Sequence, residues 1–186
     1  MNGYPPTYRL DRLDRVDELR QTTPAGCVYL TVRYLVQYGL ALEDKTLQGS
    51  SADISAFELR HQGGGYYEAI QHFTVKGHSK DGCTECCQEH LKGTLSTSDF
   101  KNYLDAKSRI EEQLRNGLPV VFTVQNPGLQ LYFHSYAITE MTDQTFTYIS
   151  PGNPPTTITR EWSWLEAEWN RETHGGKDLA WYVPLN

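Results

Sequence analysis

No stretch of the sequence carries the roughly eighteen consecutive apolar residues that a membrane-spanning helix needs, so no membrane span is expected. The opening residues, MNGYPPTYRLDRLDRVDELR, lack an apolar signal core. Cytoplasmic synthesis is therefore the expectation, with a signal-less secreted effector as the alternative. Positive charge is in deficit: 17 lysines and arginines face 23 aspartates and glutamates, for a net charge of −6. A phosphate backbone finds no basic surface here, so no nucleic acid is expected as a partner. Internal repeats and low-complexity segments are absent as well. Four cysteines are few and unevenly placed, with Cys83, Cys86 and Cys87 inside five positions and Cys27 far upstream. If Cys27 is a thiol, an odd number remains, and a full disulfide framework does not work out. That favours a reducing compartment, or a metal, over a stapled secreted fold.

What is present fits a folded domain. The chain has 186 residues, with 12 tyrosines, 4 tryptophans and 38% hydrophobic residues, enough for one domain with a sizeable core. A charged lead over residues 1–20 has a short helix expected at Leu10–Leu19. Residues 27–38 are expected to be helical, with Val28, Val32, Leu35 and Val36 on one face and Gly39 as the stop. Loop and short helix are expected over 40–60, and GGGYYEAIQHF is expected to open a helix from about Tyr66. DAKSRIEEQLRNG is a helix ended by Gly117. The second half changes character. LPVVFTV is a buried strand, and YFHSYAITE and TFTYI are two more, joined by MTDQ as a hairpin. Pro151, Pro154 and Pro155 make the next stretch irregular. TREWSWLEAEW is a short helix with Trp162, Leu165 and Trp169 on one face, and LAWYVPL is a last strand. Helices first and an antiparallel sheet second give an α+β domain over 1–186. Its helical part is about 1–117, with an inserted loop at 76–90, and its sheet part is about 118–186.

Chemistry concentrates around RQTTPAGCVYLTVRYLVQYG, residues 20–39. Cys27 stands where a polar Pro-Gly turn becomes an amphipathic run. A thiol must ionise to become a strong nucleophile, and the unpaired N–H groups and positive dipole end of a helix start favour thiolate. Gly26 lets a substrate backbone approach closely. Gln21 lies six residues before Cys27. Thiolate attack on a carbonyl creates an oxyanion, and the Gln21 amide with the Cys27 N–H would supply two donors for it. Read singly, Cys27 is also consistent with a small buried hydrophobe, and Gln21 with a solvated polar residue. The base must be far in sequence and near in space. Of the six histidines, His134 lies on an expected strand between aromatic and β-branched residues. His61, His72 and His174 have no comparable context.

Taken in order, QTTPAGC, IEEQLRNGLPVVFTV, HSYAITEM, TFTYISPGNP and TITREWSWLEAEW resemble the papain-like cysteine peptidases. Within that superfamily they are similar to the C39-like group related to bacteriocin-leader peptidases. The resemblance implies a nucleophile helix packed on an antiparallel sheet, with Cys27 as nucleophile, His134 as base and Gln21 as oxyanion donor. The third member in such families is an Asp or Asn at the end of the next strand, where it orients the histidine. This sequence departs there, because sixteen residues beyond His134 stands Ser150, in ISPGNP. Asn153 is the nearest side-chain amide and is the favoured orienter, with Ser150 as the alternative. A second departure is GCVYL, where C39-like sequences have Cys-Gly-Pro.

A second constellation, HSKDGCTECCQEH, carries His78, Cys83, Cys86, Cys87 and His90. Cys83-x2-Cys86 and Cys87-x2-His90 are chelating spacings, and a short polar loop with little core of its own gains one by binding zinc. A structural zinc is the candidate ligand, against a Cys83–Cys87 or vicinal disulfide or free thiols. The expected function is that of a cysteine hydrolase acting on an amide bond of a peptide or protein substrate, with no cofactor required for catalysis. The alternatives are an acyltransferase or amide-forming enzyme using the same thiol, and a non-catalytic zinc-containing binding module.

Overall fold

The computed structural model describes residues 8–9, 17, 19–21, 26–42, 95–100, 102–125, 133–171 and 178–183. In chain order these form β1 (Tyr8–Arg9), α1 (Cys27–Leu42), β2 (Leu95–Asp99), α2 (Tyr103–Arg115), β3 (Val120–Gln125), β4 (Phe133–Met141), β5 (Thr145–Ser150), β6 (Thr156–Glu161), α3 (Trp162–Asn170) and β7 (Asp178–Tyr182). The seven described strands make one sheet, six of them in the order β2-β7-β3-β4-β5-β6 with every neighbouring pair antiparallel and β1 added to β4. β1 pairs with Glu140 and Met141 of β4, beyond the Val120–Ile138 pair that ends the contact with β3. The fold is α+β, as the order of elements implied.

Sequence explains the middle of the sheet directly. β3 is almost wholly β-branched and aromatic, and Val120, Val121, Phe122 and Val124 are all buried, as suits a central strand covered on both faces. Helices supply the covers. α1 lies on the face that carries Ser135 and Tyr182, reaching the first through Thr31 and the second through Gly39. α2 and α3 lie on the other face, where Trp162 stacks on Phe146 at 4.8 Å and Arg109 sits over Trp181 at 4.9 Å. α2 buries Tyr103, Ala106, Ile110 and Leu114, an i, i+3, i+7, i+11 stripe. Its start is capped by Asn102, whose side-chain oxygen accepts from the Leu104 N–H at 2.8 Å. Its end is a Schellman turn: Leu118 N–H donates to Gln113 O and Gly117 N–H to Leu114 O. Gly117 takes φ +75, the left-handed conformation that turn requires. In α3, Trp162, Leu165 and Trp169 are buried. The indole N–H groups donate from Trp162 to Thr142 O and from Trp169 to Phe100 O, both at 2.9 Å, so neither ring buries an unsatisfied donor.

Three expectations are corrected. Gly39 does not stop α1, which continues to Leu42. A Cβ at Gly39 would fall 2.2 Å from the Tyr182 ring, so the glycine is there for close packing against β7. Residues 156–161 form a strand, and helix begins only at Trp162. β6 is a threonine-rich edge strand with little buried surface, so no apolar alternation announces it; cross-strand contacts such as Thr147 Oγ1 to Thr159 Oγ1 at 2.9 Å join it to β5. Finally, the sheet is not confined to the second half, since β1 and β2 come from the first. The helices expected at Leu10–Leu19 and from Tyr66, and the loops over 43–60 and 76–90, lie outside the described residues.

Gly39→Ala should lower stability by about 1–3 kcal/mol, because the added methyl meets ring atoms that include Tyr182 Cγ, not the mobile end of a side chain. Urea unfolding would show this as a lower midpoint at unchanged slope. An unchanged midpoint would contradict the close contact.

Candidate active site

Cys27 is the first residue of α1 and is 6% exposed, as a thiol and not half of a disulfide. Gly26 precedes it as a buried turn residue whose carbonyl accepts the first helical hydrogen bond, from Leu30 N–H at 3.0 Å. The first turn of α1 contains no acidic residue, so nothing there opposes the dipole that favours a thiolate. Nearby is Tyr136, whose phenol is pushed well above its ordinary value by burial first, and then by the charges of Tyr148 and Cys27.

His134 is the second residue of β4 and pairs with Val124 of β3. Strand alternation places it on the same face as Tyr136, and the two rings meet edge to face with centroids 4.7 Å apart. On that face the last residue of β5 reaches it: His134 Nε2 and Ser150 Oγ are 3.1 Å apart. The Ser150 hydroxyl is directed at the Pro151 carbonyl, 3.5 Å away, which can only accept. Which of Ser150 Oγ and Nε2 donates follows the ring tautomer. Burial lowers the His134 pKa, partly offset by a hydrogen bond to the Pro151 backbone, which raises it. The resting imidazole is thus biased towards the neutral, proton-accepting form.

Gln21 is held beside the same loop by its main chain. Gln21 N–H donates to Gly152 O at 2.8 Å and Gly152 N–H donates to Leu19 O at 3.2 Å, around a parallel bridge between Arg20 and Gly152. This strap fastens the segment leading to Cys27 against the loop that follows Ser150.

Of the two candidate orienters, Ser150 and not Asn153 lies against His134. Asn153 is exposed, and its Oδ1 accepts from Arg20 Nη1 at 2.8 Å, while Arg20 also pairs with Asp17 at 3.3 Å. The physical reason is local. β5 keeps its alternation to its last residue and so points Ser150 at His134. The chain then leaves the sheet at Pro151 and is pinned at Gly152 by residues 19–21, which turns Asn153 to the outside. Thus His134 and Ser150 come together, and Gln21 lies beside Gly152. The helix that begins with Cys27 is tied to the same strand by the hydroxyl contact between Thr31, one turn along α1, and Ser135, the neighbour of His134. Sequence reasoning missed Thr31, Ser135, Tyr136 and Arg20. Their only signal is spacing, i+4 from Cys27 and one or two from His134, and hydroxyls so placed read as ordinary core or turn residues. The metal candidates His78, Cys83, Cys86, Cys87 and His90 lie outside the described residues, as do His61, His72 and His174. Among the described residues no group of three or more His, Cys, Asp or Glu is placed to hold a metal.

No family model matches the chain, and no curated protein matches it by sequence. Among solved structures it is similar to the Carica candamarcensis cysteine protease CMS1MS2, determined in complex with E-64. That match has a TM-score of 0.57 and 14% identity, and covers 98% of this chain and 100% of that one. The fold is papain-like. No described helix is long and apolar enough to cross a membrane.

His134 should titrate below the ordinary value of 6.5, and proton or nitrogen NMR of the ring would measure it. The sign for stability follows. The folded imidazole resists a proton that the unfolded one takes up, so its stability contribution is intact above 6.5 and is lost as pH falls through the folded value. His134→Gln should remove that part of the acid dependence. Ser150→Ala should redistribute the ring tautomers while Asn153→Ala leaves them unchanged; the reverse result would restore Asn153 as the orienter.

Proposed function

We propose that the chain is a cysteine hydrolase that cleaves amide bonds in a peptide or protein, with C39-like peptidases as its nearest functional analogues. The observation that carries this is the imidazole of His134. Its Nε2 meets Ser150 at the end of β5, and its strand adjoins the helix that begins with Cys27, all in a papain-like fold.

In this reading His134 Nδ1 accepts the thiol proton as Cys27 Sγ attacks the substrate carbonyl carbon. The carbonyl π pair moves to oxygen, which the Cys27 N–H and the Gln21 side-chain amide stabilise. Collapse of the tetrahedral species breaks the C–N bond, and the imidazolium gives its proton to the departing amine. The product is an acyl-thioester on Cys27. Water then adds to it, giving a proton to His134, and C–S cleavage releases the acid and returns the proton to sulfur. Each step uses side chains of this protein and no cofactor. A serine hydroxyl in place of a carboxylate orients the ring without adding negative charge. It therefore stabilises imidazolium less, in keeping with the lowered pKa of His134.

The test is turnover of a mixed peptide pool followed by mass spectrometry. Cys27→Ala should keep the fold and lose at least about a thousandfold in rate, and His134→Ala should lose a comparable factor. Cleavage by Cys27→Ala at the wild-type rate would end the proposal. Product that forms only when an amine acceptor is supplied would instead identify acyl transfer through the same thioester.

A further inference from the structure

The buried side-chain hydrogen bond that ties α1 to β4 is placed with respect to the two reacting groups in a way that packing alone does not require. Thr31 and Ser135 are 104 residues apart in sequence, both fully buried, and their hydroxyl oxygens are 2.8 Å from one another. Thr31 is one helical turn after Cys27, and Ser135 directly follows His134. The Thr31 hydroxyl also lies 2.9 Å from the Cys27 carbonyl and 3.0 Å from that of Val28. Ser135 Oγ, Thr31 Oγ1 and the carbonyls of Cys27 and Val28 thus form one connected hydrogen-bonded group. It joins α1 to β4 at the residue that follows His134.

We propose that Thr31 and Ser135 are positioning residues that set the height and rotation of Cys27 against His134. The proposal rests on the reading of Cys27 and His134 given above. Slippage of α1 along β4 by a fraction of its rise would leave the apolar contacts of Val32, Leu35 and Val36 largely intact while moving the sulfur away from the ring. A hydrogen bond is directional and short-ranged, and in a buried site it resists that slippage where apolar packing does not.

The experiment is the rate of Cys27 alkylation by iodoacetamide at pH 6 and at pH 10, on wild type, Thr31→Val, Ser135→Ala, the double variant and Thr31→Ser, with labelled peptides mapped. Wild type should be activated at pH 6. Thr31→Val and Ser135→Ala should each lose about tenfold or more at pH 6 while agreeing with wild type at pH 10, where the thiol is ionised without help. The double variant should be no slower than the slower single one, because both break the same hydrogen-bonded group. Thr31→Ser keeps the hydroxyl and should retain the wild-type ratio. An activated wild type whose ratio is unchanged in Ser135→Ala and Thr31→Val overturns the positioning role and leaves the hydrolase reading standing. A Thr31→Ser variant as impaired as Thr31→Val also overturns it, since the methyl and not the hydroxyl would then matter. An ordinary thiol profile in wild type overturns both. If Thr31→Val does not fold, Ser135→Ala and Thr31→Ser decide the matter between them by the same criteria.

Discussion

Successive residues of a strand point to opposite faces of its sheet, and β4 spends that constraint at the two positions that matter most. His134 points to the face where Ser150 ends β5, and Ser135 points to the face where α1 lies. One peptide unit therefore joins the orientation of the imidazole to the docking of the helix that begins with Cys27. Everything else in the described structure secures this strand. β3 and β1 pair with one of its edges and β5 pairs with Ala137–Met141 on the other, and the pairing of His134 with Val124 of β3 fixes the register at the site. α1 then runs obliquely from Ser135 on β4 to Tyr182 on β7, where Gly39 permits the closest approach.

The face that bears His134 is dominated by rings. Phe122 lies 5.1 Å from Tyr136, Tyr136 is 4.9 Å from Tyr148, and Tyr148 is 6.0 Å from Trp164, so aromatic contacts run from the imidazole to helix α3. Each such ring stabilises the fold by about 1.5–3 kcal/mol through burial. Together they also exclude water, and this gives the neighbouring imidazole its lowered pKa. Stability and basicity thus have a common source. The neutral hydroxyl of Ser150 fits such a setting, since a carboxylate there would itself have to be desolvated.

Much of this was legible in the sequence. The helix start at Cys27, the strands around Val121, His134 and Tyr148, and the α3 face of Trp162, Leu165 and Trp169 follow from apolar periodicity that burial then confirms. The elements that were not legible lack such a signal. β6 is exposed and threonine-rich, β1 has two residues, and β2 reads LSTSD, so each is fixed by its neighbours' edges and not by its own pattern. Gly39 was read as a stop because local preference says so, whereas the tertiary contact with Tyr182 decides otherwise. At the site, the spacing from His134 to Ser150 was visible, but which of Ser150 and Asn153 turns inward depends on the pinning of Gly152 by residues 19–21, a contact between segments 131 or more positions apart.

The central claim is that one of four cysteines is a nucleophile because of where the fold puts it. Limiting iodoacetamide at pH 6, with wild-type protein and mapping of Cys27, Cys83, Cys86 and Cys87, tests that claim most directly. A thiol at its ordinary pKa of about 8.5 is almost wholly protonated there, so only an activated one competes well. The account predicts that label accumulates on Cys27 first even though it is 6% exposed, and that His134→Ala abolishes the preference. Label spread over the other three with Cys27 spared would mean that its sulfur is a core atom, and would contradict the account.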